Sequence, residues 1–184
     1  MRKETERQVV HLVLGTLLAS VILLLGKFYS LVLLGTLIIA GIFLSELLHK
    51  GIRVEPFHWF VRRMEREKVR PGQGTLTFVL GPFIALVFFE PNIVFLSVLI
   101  LAFADSFSTL VGKGIGAIKI YNGKTLEGFL GGFLASLFVV IPYLNMPAAL
   151  VSCLVASLTE LLSPVDDNIL IPPLSSLIIY MMTL

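Results

Sequence analysis

The chain has 184 residues, of which 57% are hydrophobic and only 14% charged, with a formal net charge of +2. That excess of apolar residues excludes an ordinary soluble domain, and the single cysteine, Cys153, excludes an internal disulfide. A bilayer needs about 17–25 apolar residues per helix, and seven runs are candidates, the third of them short: Val9–Gly26, Tyr29–Leu48, Thr75–Phe89, Asn92–Gly112, Leu126–Leu144, Pro147–Ser163 and Asn168–Leu184.

Little chain lies between these runs, so residues 1–184 read as a single integral membrane domain, an all-α polytopic bundle with about seven transmembrane helices. Arg2 and Lys3 precede an apolar stretch, as in a secretory leader. Glu4, Glu6 and the continuation of the run past "LLAS" argue for a first span instead. With seven spans, the N-terminus and the segments Lys50–Gly74, Lys113–Lys124 and Pro164–Asp167 share one side, and they hold thirteen of the fourteen Lys and Arg residues. Basic residues accumulate in cytoplasmic loops, so the N-terminus is placed in the cytoplasm.

At the start, "ETERQVVHLVLG" sets Arg7 and His11 four residues apart on one helical face. Arg7 is in place to reach a phosphate, and His11 to orient it or a substrate hydroxyl. Glu46 closes the second span in "SELLHK". The segment "EPFHWFVRRMEREK" then reads as an amphipathic helix on the cytoplasmic leaflet, its basic residues facing anionic lipid. The third span contains Gly81-Pro82, so the third and fourth segments also admit a re-entrant hairpin.

In the fourth span Asp105, Ser108, Thr109, Gly112 and Gly116 recur at helical spacing and make one small, polar face. Small residues alone mean close helix packing. A desolvated aspartate needs a cation or a donor, and a divalent metal bridging to phosphates suits it. The stretch "GKGIGAIKIYNGKT" ends like a phosphate-binding P-loop, but Ile118 stands where the first glycine belongs and a transmembrane helix follows. The Walker pattern therefore fails. Backbone N–H groups at a glycine-rich turn and at the start of the next helix still attract anions. Lys113, Lys119 and Lys124 add positive charge, and Thr125 is a candidate helix cap.

Glu127 and Gly128 open the fifth span, whose glycines allow close helix approach. Glu160 closes the sixth. The turn "SPVDDN" places Asp166, Asp167 and Asn168 before the last helix, either as a simple cap or as metal and nucleotide contacts. Six acids, Glu46, Asp105, Glu127, Glu160, Asp166 and Asp167, thus converge on one side of the membrane.

Taken together, Glu6-Arg7 with His11, Glu46 in "SELLHK", "ADSFSTLVGKGIG", "GKTLEGFLGG" and "TELLSPVDDN" leading into "IPP" resemble the CTP-dependent lipid-alcohol kinases, the family of dolichol kinase, phytol kinase and diacylglycerol-kinase-like transmembrane enzymes. Where that family has Arg-Lys, this chain has Arg7-Gln8. The resemblance implies transfer of the γ-phosphate of CTP to the hydroxyl of a membrane lipid alcohol. Asp105, Asp167 and Glu160 would hold Mg²⁺ or another divalent cation. Arg7, Gly112, Lys113, Gly116, Lys119, Lys124, Thr125 and Asn168 would contact the nucleotide. His11 and Glu46 would face the lipid, and Asp105 or Glu127 would take the proton, with Lys124 in the catalytic set. No nucleic-acid partner is expected, and glycine-rich faces fit an oligomer or a monomer equally.

The chief alternative is a CTP:lipid-phosphate cytidylyltransferase, which also carries Lys-Thr-x-Glu-Gly beside a membrane aspartate. Its longer signature, with Lys-Asp and Pro-Gly-His-Gly-Gly-Asp-Arg, is not found in this chain. A transporter would place its charges deep in the spans rather than at one interface.

Overall fold

A computed structural model describes residues 2–52, 54–55 and 72–183, and the expected amphipathic helix lies outside the described residues. Among them are six helices: α1 (Arg2–His49), α2 (Gln73–Phe88), α3 (Pro91–Ile115), α4 (Leu126–Val140), α5 (Met146–Leu162) and α6 (Asp167–Thr183). A small hairpin of β1 (Lys119–Tyr121) and β2 (Lys124–Thr125) joins α3 to α4.

The first two expected spans form the single element α1, which breaks at Gly26, where φ is 71° and ψ is −179°. Only glycine adopts that conformation cheaply. The Ser30 hydroxyl donates to the Ile22 carbonyl at 3.3 Å, whereas eight residues of continuous helix would separate them by about 12 Å. The chain reverses there. The first arm runs along α3, with Gly15 against Ala102 and Ser106 donating to the Gln8 carbonyl. The second arm returns along α2, with Gly35 against Phe83 and Gly41 against Leu76. Lys27, at the reversal, lies 3.5 Å from Glu90 in the α2–α3 turn. That contact sets both turns at the same end of the bundle.

α3 runs through the middle of the bundle. Its residues 96–102 are all buried, and Leu96, Val98, Leu99, Ile100 and Leu101 among them belong to two apolar clusters. One cluster joins α3 to α1 and α2 through Ala19, Ile22, Leu34 and Leu86; the other joins it to α4, α5 and α6 through Val140, Cys153 and Ile171. Small residues bring the helices close. A Cβ on Gly132 would stand 2.6 Å from the Ala104 carbonyl, and one on Gly128 2.7 Å from the Ser108 carbonyl. Buried serines crosslink the interior, as where Ser176 donates to Ser97 at 2.9 Å.

The outer surface is the apolar one. Leu24 is 82% exposed, Phe28 70% and Phe138 81%, while eight serines lie at 2% exposure or less. Water would not sustain that arrangement; hydrocarbon does. α1 and α3 are long and apolar enough to cross a membrane, and α2, α4 and α5 are shorter apolar helices.

One difference from the all-helical expectation lies in the glycine-rich connection. Asn122 and Gly123 have φ of 46° and 79°, the pairing that closes a tight two-residue hairpin. Lys119 pairs with Thr125 and Tyr121 with Lys124, so part of this loop is a short antiparallel ribbon.

α2 meets the start of α6 most tightly at Gly81, where a Cβ would overlap the Asn168 carbonyl oxygen. Gly81→Ala should therefore cost about 1–3 kcal/mol and lower the melting temperature in detergent. Gly114→Ala, whose Cβ would meet nothing within 4 Å, should melt at or above the parent. Equal stability of Gly81→Ala and the parent would show that α2 and α6 do not touch there.

Candidate functional site

Three carboxylates converge at the end of the bundle opposite Lys27. Asp105 projects from α3, Glu160 from the last turn of α5 and Asp167 from the first residue of α6, with an oxygen of each within 4.8 Å of the others. Their sequence neighbours explain the meeting. α5 ends at "SP", α6 begins at "DN", and the Ser108–Gly112 face of α3 is narrow enough for α4 to pack beside it.

Lys124 supplies the countercharge. Its ammonium lies 2.9 Å from a Glu160 oxygen and 3.9 Å from an Asp167 oxygen, and it also donates to the Glu160 carbonyl. β2 fixes its backbone, and the next residue, Thr125, caps α4 by accepting from the Gly128 N–H at 3.1 Å. Asp167 stands ahead of the apolar run of α6. Burial pushes its carboxyl up to about 7, and the Asp105 charge adds to the rise. Several acids against one lysine leave negative charge to be balanced at this point.

α1 forms the facing wall. His11 Nε2 lies 3.5 Å from an Asp105 oxygen, and its ring packs edge-on against Phe78 with centroids 4.8 Å apart. Arg7 pairs with Glu4, which also holds Lys113 at 3.0 Å. Asp166 braces α6 by accepting from the Thr77 hydroxyl at 2.8 Å and from the Asn168 side-chain amide at 2.9 Å.

These walls enclose a cavity of about 460 Å³, within the range of small-molecule sites. Of the residues the sequence singled out, Arg7, His11, Asp105, Lys124, Asp167 and Asn168 line it, and Glu160 sits beside it through Lys124. The others lie elsewhere. Glu46 is exposed and pairs with Lys50 at 3.8 Å. Lys119 is exposed on β1. The Glu127 carboxylate accepts from the Ile118 N–H at 3.2 and 3.3 Å and so ties the hairpin to the start of α4. Gly112 and Gly116 pack against Thr125: a Cβ on Gly112 would be 3.1 Å from its hydroxyl, and one on Gly116 would clash with it. In this structure those glycines serve helix contact.

Sequence reasoning missed the contribution of α2. Gln73, Thr75 and Phe78 complete the cavity wall, and nothing in their spacing marks them out. Gln8 also lines it and was not singled out, although the Arg7-Gln8 departure from the resembled family drew attention to that position.

The carboxylate trio suits a hard divalent cation, which takes oxygen ligands at about 2.0–2.6 Å. Three hard oxygens from three separate helices, two of them already paired with a lysine ammonium, match that donor set.

Comparison with known proteins gives a partial and a near-complete match. The chain is similar to CTP-dependent diacylglycerol kinase 1 of Schizosaccharomyces pombe, 27% identical over 139 residues, which cover 64% of this chain and 64% of the kinase. No family model matches the chain, and no solved structure does. It is also similar to a protein of Methanocaldococcus jannaschii, uncharacterized protein MJ1137, with 32% identity over 182 residues, or 96% of this chain and 93% of the other. That likeness covers nearly the full length of both chains, and the chain belongs to the same family as MJ1137.

Proposed function

We propose that the protein is a CTP-dependent kinase that transfers the γ-phosphate to the hydroxyl of a membrane lipid alcohol at the cytoplasmic interface. One observation carries this reading: Asp105, Asp167 and Lys124, with Glu160 paired to that lysine, line a cavity that Val10, Leu14 and Phe78 also line. Polar phosphate chemistry and an apolar chain thus meet in one place. The similarity to a CTP-dependent diacylglycerol kinase supports the nucleotide and the acceptor class.

In the proposed mechanism, Asp105, Asp167 and Glu160 would hold a divalent cation, which supplies charge neutralisation for the triphosphate. Lys124 and Arg7 are the cations nearest the cavity and take the phosphate oxygens. The acceptor hydroxyl lies between His11 and Asp105. Its oxygen attacks the γ-phosphorus as the bond to the β-phosphate oxygen breaks, CDP leaves, and Asp105 receives the hydroxyl proton. Of the two candidate bases we choose Asp105, because it lines the cavity while Glu127 is engaged by the Ile118 N–H. Gly112 and Gly116 are assigned to packing, Lys113 to holding Glu4, and Glu46 to the exposed end of α1.

Purified protein supplied with CTP labelled at either phosphate tests the reaction. γ-label should appear in a lipid alcohol; α-label in phosphatidate would overturn the kinase in favour of cytidylyl transfer. Asp105→Asn and Lys124→Ala should each lower turnover by about 10²-fold or more; Asp105→Asn should melt within a few degrees of the parent, whereas Lys124→Ala, which strips the cation from Glu160 and Asp167, should also melt lower. Retained activity in either variant removes that residue from the mechanism.

Orientation has its own test. Cys153 is buried, so a cysteine introduced at Lys27 should react with an impermeant maleimide on intact cells. One at Lys119, exposed on the hairpin, should react only after permeabilisation. The reverse pattern would place the site on the outer face.

A further inference from the structure

The connection between α3 and α4 is apolar where it leaves the bundle. Ile115, Ile118 and Ile120 are 73%, 57% and 47% exposed, and Tyr121 is exposed beside them. Large apolar side chains gathered so closely make a costly patch against water. Side chains alternate along a strand, so Ile118 and Ile120 share one face of the ribbon. Thr125 fixes the other face. It pairs with Lys119 across the ribbon, is buried, and packs against Gly116 at the end of α3. The isoleucine face is therefore the one turned away from that contact.

The apolar flank of the bundle leads up to this ribbon. Leu130, Leu134 and Phe138 are exposed at intervals of four along α4 and form a stripe toward hydrocarbon. One turn before Leu130, the Leu126 N–H donates to the Ile118 carbonyl at 2.9 Å, so the ribbon begins where the stripe ends. Charge points the same way. Residues 113–124 contain three lysines and no acid. Lys113 is held by Glu4 and Lys124 by Glu160, which leaves Lys119, exposed on β1, for an anion outside the bundle. An apolar face flanked by lysine is the composition that binds an anionic bilayer surface.

We propose that the β1–β2 hairpin docks onto the leaflet on the side of the carboxylate site, with Ile118 and Ile120 in the headgroup–acyl boundary and Lys119 among anionic headgroups. Lys124 stands on the second strand of the same ribbon. A leaflet that holds β1 thus also steadies the backbone from which Lys124 reaches Glu160.

Spin labels test the docking. Cys153 is buried, so a cysteine introduced at Ile118, Lys119 or Ile120 can be labelled selectively and the protein reconstituted in vesicles of phosphatidylcholine and phosphatidylglycerol. Collisions of each label with oxygen, which concentrates in hydrocarbon, are compared with collisions with a water-soluble nickel chelate. Ile118→Cys and Ile120→Cys should favour oxygen severalfold more than Lys119→Cys does. Vesicles of phosphatidylcholine alone should shift the two isoleucine positions toward the chelate, and Lys119→Glu combined with Ile120→Cys should abolish that dependence on lipid charge. Ile115→Cys, at the exposed end of α3, is the second site should a label on the ribbon unfold the protein. Labels that all favour the chelate would leave the hairpin in water. Labels shielded from both reagents would mean that protein, such as a second copy of the chain, covers the face. Oxygen access indifferent to lipid charge would remove Lys119 from the contact. Each of these outcomes overturns the proposal. No nucleotide is present in the measurement, so its failure and that of the kinase reading are separate.

Discussion

The ion cluster formed by the Lys124 ammonium with Glu160 and Asp167 is the contact on which the working end of the protein depends. Glu160 is 5% exposed and Asp105 9%, so carboxylates this close would drive their helices apart without a cation between them. Lys124 reaches them only because the hairpin brings it back from the end of α3 toward the end of α5. The hairpin in turn is fastened by the Asn122-Gly123 turn, by the Leu126 N–H donating to the Ile118 carbonyl at 2.9 Å, and by the Glu127 carboxylate. A charge requirement at the ends of α5 and α6 is thus met by the conformation of a loop some distance along the chain.

The rest of the bundle supplies a rigid frame by means suited to an apolar exterior. Hydrocarbon gives little hydrophobic drive to bring helices together, so close van der Waals contact and interhelical hydrogen bonds take its place. The glycines of α4 against the carbonyls of α3, Gly81 against the first turn of α6, and the Ser97–Ser176 bond all belong to that scheme. They cluster along α3, α4 and α6, the elements that carry or brace Asp105, Lys124 and Asp167. The second arm of α1 is more exposed, with Ile39 at 72% and Phe43 at 64%. It contributes surface rather than site.

Much of this was legible in the chain itself. The apolar runs located the helices, and the bias of acids toward one set of helix ends anticipated the meeting of Asp105, Glu160 and Asp167. Glycines were read less well. An exposed glycine-rich turn that holds an anion and a glycine that lets two helices touch have the same sequence appearance, and Gly112 and Gly116 proved to face Thr125. Glu46 and Glu127 show the same ambiguity for acids, since proximity to a helix end says nothing about which way the side chain turns. The polar wall from α2 was illegible for a different reason. Gln73 and Thr75 begin that helix, where polar residues are ordinary, and only the tertiary packing turns them toward the cavity.

The electrostatics also explain how one constellation can serve both as a structural tie and as a binding site. In this structure a lysine balances the carboxylates, although a lysine and a divalent cation compete for the same oxygens. On the proposed reading a triphosphate arrives with its divalent ion. Asp105, Glu160 and Asp167 would hold the ion, which would supply the countercharge, and Lys124 would turn to the phosphate oxygens. Cation is exchanged for cation, and the displaced one acquires an anionic partner, so no buried charge is stranded during loading. A divalent ion alone would release Lys124 without giving it a partner, and a triphosphate alone would bring anions toward carboxylates. On that reading joint binding would be favoured over either component singly, and the coupling would originate in the same lysine that ties α5 and α6 to the hairpin.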